Sequence, residues 1–127
     1  MTYKSRVFVL KGSSFDIIWD IERLFSDIDC GTVTCRKERT LLANINDYNE
    51  NDVDDKSLLD ADITERIVVF ELADRQNCLV DGSMAKRKAE KLGIITAEVL
   101  IIPFSAHKKY IFNFDKEIYR SVINEYK

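Results

Sequence analysis

The sequence is poor in the residues that staple, stiffen or break a chain. Its 127 residues hold three cysteines, one proline, four glycines and a single histidine. Cys30, Cys35 and Cys78 cannot all pair with one another, and in a reducing compartment they stay thiols, so a disulfide framework is excluded and buried or idle thiols are expected. Cys30 and Cys35 have four residues between them and only His107 to complete a ligand set, which leaves a structural zinc site short of ligands. Long hydrophobic runs are missing as well. The opening "MTYKSRVFVLKG" is too short in apolar residues for a secretory signal, and no later run approaches the roughly 20 apolar residues of a membrane span. A cytoplasmic protein without a membrane segment is expected. A surplus of positive charge is also lacking: 19 Lys and Arg stand against 22 Asp and Glu, a net charge of -3. Direct nucleic-acid binding as a general activity is therefore not expected, because phosphate backbones recruit mainly clustered cations.

What remains is a composition that folds. Of the residues, 46% are hydrophobic and 32% charged, neither disordered nor fibrous, and the length suits one core. With no internal repeat and no linker, one domain over residues 1–127 is expected.

"YKSRVFVL" reads as a strand from its aromatic and β-branched content. "GSSFDIIWDIERLFSDIDCG" predicts the clearest helix, with Ile17, Ile18, Ile21, Leu24, Phe25 and Ile28 at one-turn spacing, a capping box at Ser13 and Asp16, and Gly31 as the stop. Trp19 lies beside this stripe as a core or rim aromatic. "TVTC" and "TLLANI" are short strand candidates flanking the polar "RKER". "IVVF", a continuous apolar run, predicts a strand buried on both faces, and "NCLV" returns from the polar "ADRQ" as its hairpin partner. "ITAEVLIIP" is a further buried strand ended by Pro103, and "DKEIYRSVINEYK" predicts a helix capped by Asp115 with Ile118, Tyr119, Val122, Ile123 and Tyr126 on one face. The class that follows is α+β, a small mixed β-sheet with an N-terminal amphipathic helix and a C-terminal helix.

Between these elements, the stretch from Asn46 to Asp62 carries Asp47, Glu50, Asp52, Asp54, Asp55, Asp60 and Asp62 against one lysine. It lacks the turn glycine and closing glutamate of a calcium loop, and reads as a solvated acidic loop. The other stretch of note is "LVDGSMAKRKAEKLG", a strand end, a glycine turn at Gly82, then a helix capped by Ser83, with Ala85, Ala89 and Leu92 on its apolar side and Gly93 as its stop. Free N–H groups at such a helix start favour an anion, and Lys86 and Arg87 add charge. Lys86, Arg87, Lys88 and Lys91 equally suit the wet face of an amphipathic helix.

The run "IVVFELADRQNCLVDGSMAKRKAEKLGIITAEVLIIP" resembles the core of the ParB/sulfiredoxin-like superfamily, in which a "PIVV"-like strand, a turn and a strand ending in glycine lead into a helix closed by glycine and a "VPVIV"-like strand. The resemblance covers about Ile63 to Pro103, and the interval from Gly82 to Gly93 matches that of "GERRLRAAKLAG". It implies a ParB/sulfiredoxin-like strand-turn-helix-strand core and a nucleotide or phosphate pocket at Gly82, Ser83, Lys86 and Arg87, with a nucleotide and Mg as the ligand. The functional pattern departs from the family: where relatives read "DGNHR", or carry the reactive cysteine of sulfiredoxin, this chain reads Gly82, Ser83, Met84, Ala85. Arg87 alone matches the later arginine of "GERRLR". Met84 and Ala85 offer nothing to a developing phosphoryl charge, and His107 reads as a surface histidine near a short helical turn, distant in sequence from Ser83. The expectation is a non-catalytic binding module beside a DNA-maintenance, mobile-element or toxin-immunity system in a bacterial or phage setting. One alternative is an active metal-dependent nuclease or nucleotide hydrolase using acidic residues of the Asn46 to Asp62 loop. Another is a protein-interaction module whose contact surface is Asp52, Asp54 and Asp55.

Overall fold

The computed structural model describes residues 6–48, 66–72 and 76–126. The protein is mixed α+β, and it divides into two compact units, Met1–Thr34 with Pro103–Lys127, and Cys35–Ile102.

In the first unit, β1 (Val7–Lys11) pairs antiparallel with β2 (Asp16–Asp20), Phe8 opposite Trp19. The turn between them closes with the Gly12 N–H on the Phe15 carbonyl at 2.9 Å. The predicted long helix is thus corrected: its first part is a turn followed by strand β2, and helix α1 spans only Ile21–Asp29. Apolar residues at 17, 21, 24 and 28 satisfy a helical period, but Ile17 and Trp19 also alternate with half-buried neighbours. Five paired positions with β1 satisfy backbone groups that β1 would otherwise leave open. The cap moves accordingly from Ser13 to Asp20, whose carboxylate accepts from the Arg23 N–H at 3.1 Å. The Ser13 N–H instead donates to the Glu125 carboxylate at 3.0 Å. Gly31, at φ 74, ends the helix as expected.

The other edge of β2 is covered by residues 111–112: Ile111 bridges Trp19 and the Phe112 N–H reaches the Ile18 carbonyl at 2.8 Å. Helix α2 (Ser83–Lys91) belongs to the second unit. The first unit continues with the short α3 (Phe104–His107), a 3-10 turn (Lys108–Tyr110) and α4 (Lys116–Asn124). Asp115 caps α4 as expected, accepting from the Glu117 and Ile118 N–H groups, and Tyr119, Val122 and Ile123 are buried. Trp19 is fully buried and its indole N–H donates to His107 Nδ1 at 3.2 Å. Since an indole nitrogen only donates, Nδ1 is the acceptor and the imidazole is neutral. His107 is 0% exposed, which corrects the reading of it as a surface residue. The Tyr110 hydroxyl donates to Asp27 at 2.6 Å, and burial together with that bond pushes its pKa upward.

The second unit is a four-stranded sheet in the order β3-β6-β4-β5: β3 (Arg36–Leu41), β6 (Thr96–Ile102), β4 (Val68–Glu71) and β5 (Asn77–Asp81). The sheet is mixed, since β4 and β6 run parallel while β3 with β6 and β4 with β5 run antiparallel. Val68, Val69 and Phe70 are each 0% exposed, the buried strand that "IVVF" predicts, and burial of such side chains contributes about 1.5–3 kcal/mol apiece. The charged "RKER", expected between two strands, is itself strand, whereas residues 32–35 carry none and "LAN" forms a 3-10 turn (Leu42–Asn44). Six positions of pairing with β6 override the weak strand propensity of Lys and Glu, and an outer edge tolerates charge.

Candidate functional site

Helix α2 (Ser83–Lys91) lies on the sheet through Ala85 and Ala89, which pack with Val69, Leu79, Val99 and Ile101. Two alanines let the helix approach closely, so its start is fixed tightly against β4. Gly82 occupies the N-cap position at φ 94. A Cβ there would sit 2.8 Å from the Arg66 carbonyl and 2.9 Å from Ile67 Cα. Both the left-handed backbone and the close approach demand glycine. The reading of Ser83 as the cap is therefore corrected: Ser83 is the first helical residue, and the cap has no side chain. Gly93, at φ 81, terminates the helix, and Leu92, expected on the apolar side, is 61% exposed beyond its end.

The four residues singled out in sequence fall on Gly82 and the first two turns of α2, and the structure adds a fifth that sequence reasoning passed over as part of an acidic loop. Asp47 follows Asn46, which bridges Cys78 in parallel on the outer side of β5, with the Asn46 N–H on the Asn77 carbonyl and the Leu79 N–H on the Asn46 carbonyl at 3.0 and 2.8 Å. That bridge delivers the Asp47 carboxylate to the start of α2. Its Oδ2 accepts from the Ser83 hydroxyl at 2.6 Å and lies 3.7 Å from an Arg87 guanidinium nitrogen. Lys86 turns along the helix to Glu90, 2.8 Å away, with its side chain only 12% exposed. The cradle therefore holds an anionic oxygen supplied by the chain itself, at a place where helix N-termini favour one.

This arrangement suits holding rather than making and breaking bonds. Ser83 has a carboxylate as its hydrogen-bond partner, and Met84 and Ala85 add no charge at the helix start. His107 is in the other unit, fully buried against Trp19. Burial, reinforced by the nearby Asp47 charge, pushes the Cys78 thiol up to about 12, so it is no nucleophile at neutral pH. Asp52, Asp54 and Asp55 lie outside the described residues.

Two surface clefts lie elsewhere on this unit. One, of about 380 Å³, is lined by Arg36, Glu38, Thr40, Asn44, Glu71 and Asn77, and there Arg36 bridges Glu38 and Glu71 at 3.0 and 2.7 Å. The other, of about 240 Å³, lies among Leu42, Ala43, Glu90, Gly93, Ile94 and Ile95. No protein-family model matches the chain, and no curated protein matches it.

Proposed function

We propose that the chain is a non-catalytic binding module of ParB/sulfiredoxin-like type that holds a phosphate group, as part of a nucleotide, at the start of α2. The observation that carries this reading is the convergence of Ser83 and Arg87 on one oxygen of Asp47. An incoming phosphate takes the position of that carboxylate, gaining the same hydroxyl, the same guanidinium and the helix N-terminus, with Lys86 released from Glu90 to join it. The order of strand, Gly82, basic helix, Gly93 and strand supports the family assignment, and with it a cytoplasmic role beside DNA-maintenance, mobile-element or toxin-immunity systems. Mg is needed only where a triphosphate's charge must be offset.

Isothermal titration with ATP, CTP and GTP, with and without magnesium, tests this. Saturable binding by the native chain, lost in Lys86→Ala/Arg87→Ala and strengthened in Asp47→Asn, is expected. Absence of binding in both the native chain and Asp47→Asn would refute it.

A further inference from the structure

Strand β3 is the outermost strand of its sheet, and among the described residues nothing pairs with its far side. Five of its six residues are exposed, and four of those are charged. The register with β6 sorts its side chains. Arg36, Glu38 and Thr40 stand opposite Ile101, Val99 and Ala97 on the face that carries α2, and there Arg36 is already engaged by Glu38 and Glu71. Lys37, Arg39 and Leu41 share the other face, opposite Leu100, Glu98 and Thr96. On that face Lys37 has no ion-pair partner among the described residues, and Arg39 reaches the Thr96 hydroxyl at 3.4 Å. Glu98 is the one carboxylate set against the two cations by the register. The row then ends in Leu41, an aliphatic side chain that is 46% exposed.

We infer that this edge docks an extended segment of a partner protein that adds as a strand beside β3, presenting acidic side chains to Lys37 and Arg39 and an aliphatic one to Leu41. Main-chain hydrogen bonds to the open edge supply the common part of such an interaction, and alternate side chains supply the choice of partner. Charge complementarity makes the segment acidic. It also disfavours a second copy of this chain: a two-fold antiparallel pairing centred on residue 37, 38 or 39 sets a cation at Lys37 or Arg39 directly opposite another cation. Charge on an edge strand can serve only to ward off unwanted pairing, but a purely protective edge gains nothing from exposing Leu41 in line with its two cations. This inference is independent of the phosphate cradle.

The test uses the full chain and a fluorescent heptapeptide, Leu-Thr-Glu-Thr-Glu-Thr-Leu, whose pattern fits the edge in either direction. Saturable binding by fluorescence anisotropy is expected, weakening by about tenfold or more in Lys37→Glu/Arg39→Glu, as loss of complementary charge predicts. The same variant is expected to gain binding of the matching peptide with lysines in place of glutamates, which shows that it remains folded. N-methylation of the central threonine and of both glutamates, which blocks both edges of the peptide, is expected to abolish binding. No saturable binding by the native chain, or binding indifferent to charge reversal or to N-methylation, would overturn the inference.

Discussion

In the unit formed by residues 6–34 and 103–126, Trp19, Tyr110 and His107 are buried together with a hydrogen bond between two of their rings. In the unit of residues 35–102, the cluster beneath α2 is wholly aliphatic: Leu42, Ile45, Ile67, Val69, Leu79, Ala85, Ala89, Val99 and Ile101. Its charged groups sit instead at the surface, on the β3 edge and at the start of α2. The contrast separates two sensitivities. A core containing a polar pair is specified atom by atom, since either partner left alone is a buried unsatisfied group. An aliphatic core is specified by volume and by how closely backbones approach. Both proposed surfaces lie on the second unit, where polar side chains are free of core duty.

Trp19→Ala should break the contrast most severely. It removes the largest buried side chain and the donor to His107 Nδ1, and a loss of about 4 kcal/mol is expected by chemical denaturation followed by circular dichroism. Trp19→Phe, which keeps most of the volume, should still lose about 1–3 kcal/mol from the missing donor. If it costs nothing, the polar pair does not specify the first unit. In the second unit the corresponding lesion is Gly82→Ala, expected to cost about 2–3 kcal/mol through left-handed strain and the approach to Arg66 and Ile67. Hydrogen exchange should show that loss concentrated in β4, β5 and α2.

A smaller effect is set by pH. The Cys78 thiol is raised by burial from an ordinary 9.0 to about 12, so the unfolded chain gives up that proton near pH 9 while the folded chain keeps it. The contribution is complete below about pH 9 and is lost as pH rises toward 12. One pH unit above the ordinary value corresponds to about 1.4 kcal/mol. Cys78→Ala should flatten the stability profile between pH 9 and 10, leaving the loss due to Tyr110, also raised by burial, to begin near its ordinary 10.0. The least effect is expected from Arg36→Ala. Its pairs with Glu38 and Glu71 are exposed, and less than about 1 kcal/mol should be lost.

How far the sequence disclosed this molecule depends on whether local pattern or tertiary pairing decides each element. "IVVF", Gly82, Gly93, Asp115 and the final helix were legible because apolar runs, left-handed glycines and side-chain caps act within a few residues. Asp16–Asp20 was not, since its apolar spacing fits helix and strand alike and pairing with β1 decides. "RKER" reads as a polar connector until β6 lies beside it. His107 became buried because Trp19, 88 residues earlier in sequence, supplies its hydrogen bond. At the candidate site, Gly82, Ser83, Lys86 and Arg87 were visible as one motif. Asp47 carried no local signal, as it arrives through a bridge between Asn46 and Cys78 that only the fold creates.

The central claim is that Asp47 holds the place of a phosphate at the start of α2. An amide-resolved NMR titration of the native chain with pyrophosphate reads it directly. Saturable shifts at the Ser83, Met84 and Ala85 amides, appearing at lower pyrophosphate in Asp47→Asn and absent in Lys86→Ala/Arg87→Ala, are predicted. Amides at these positions that do not move in either the native chain or Asp47→Asn would contradict it.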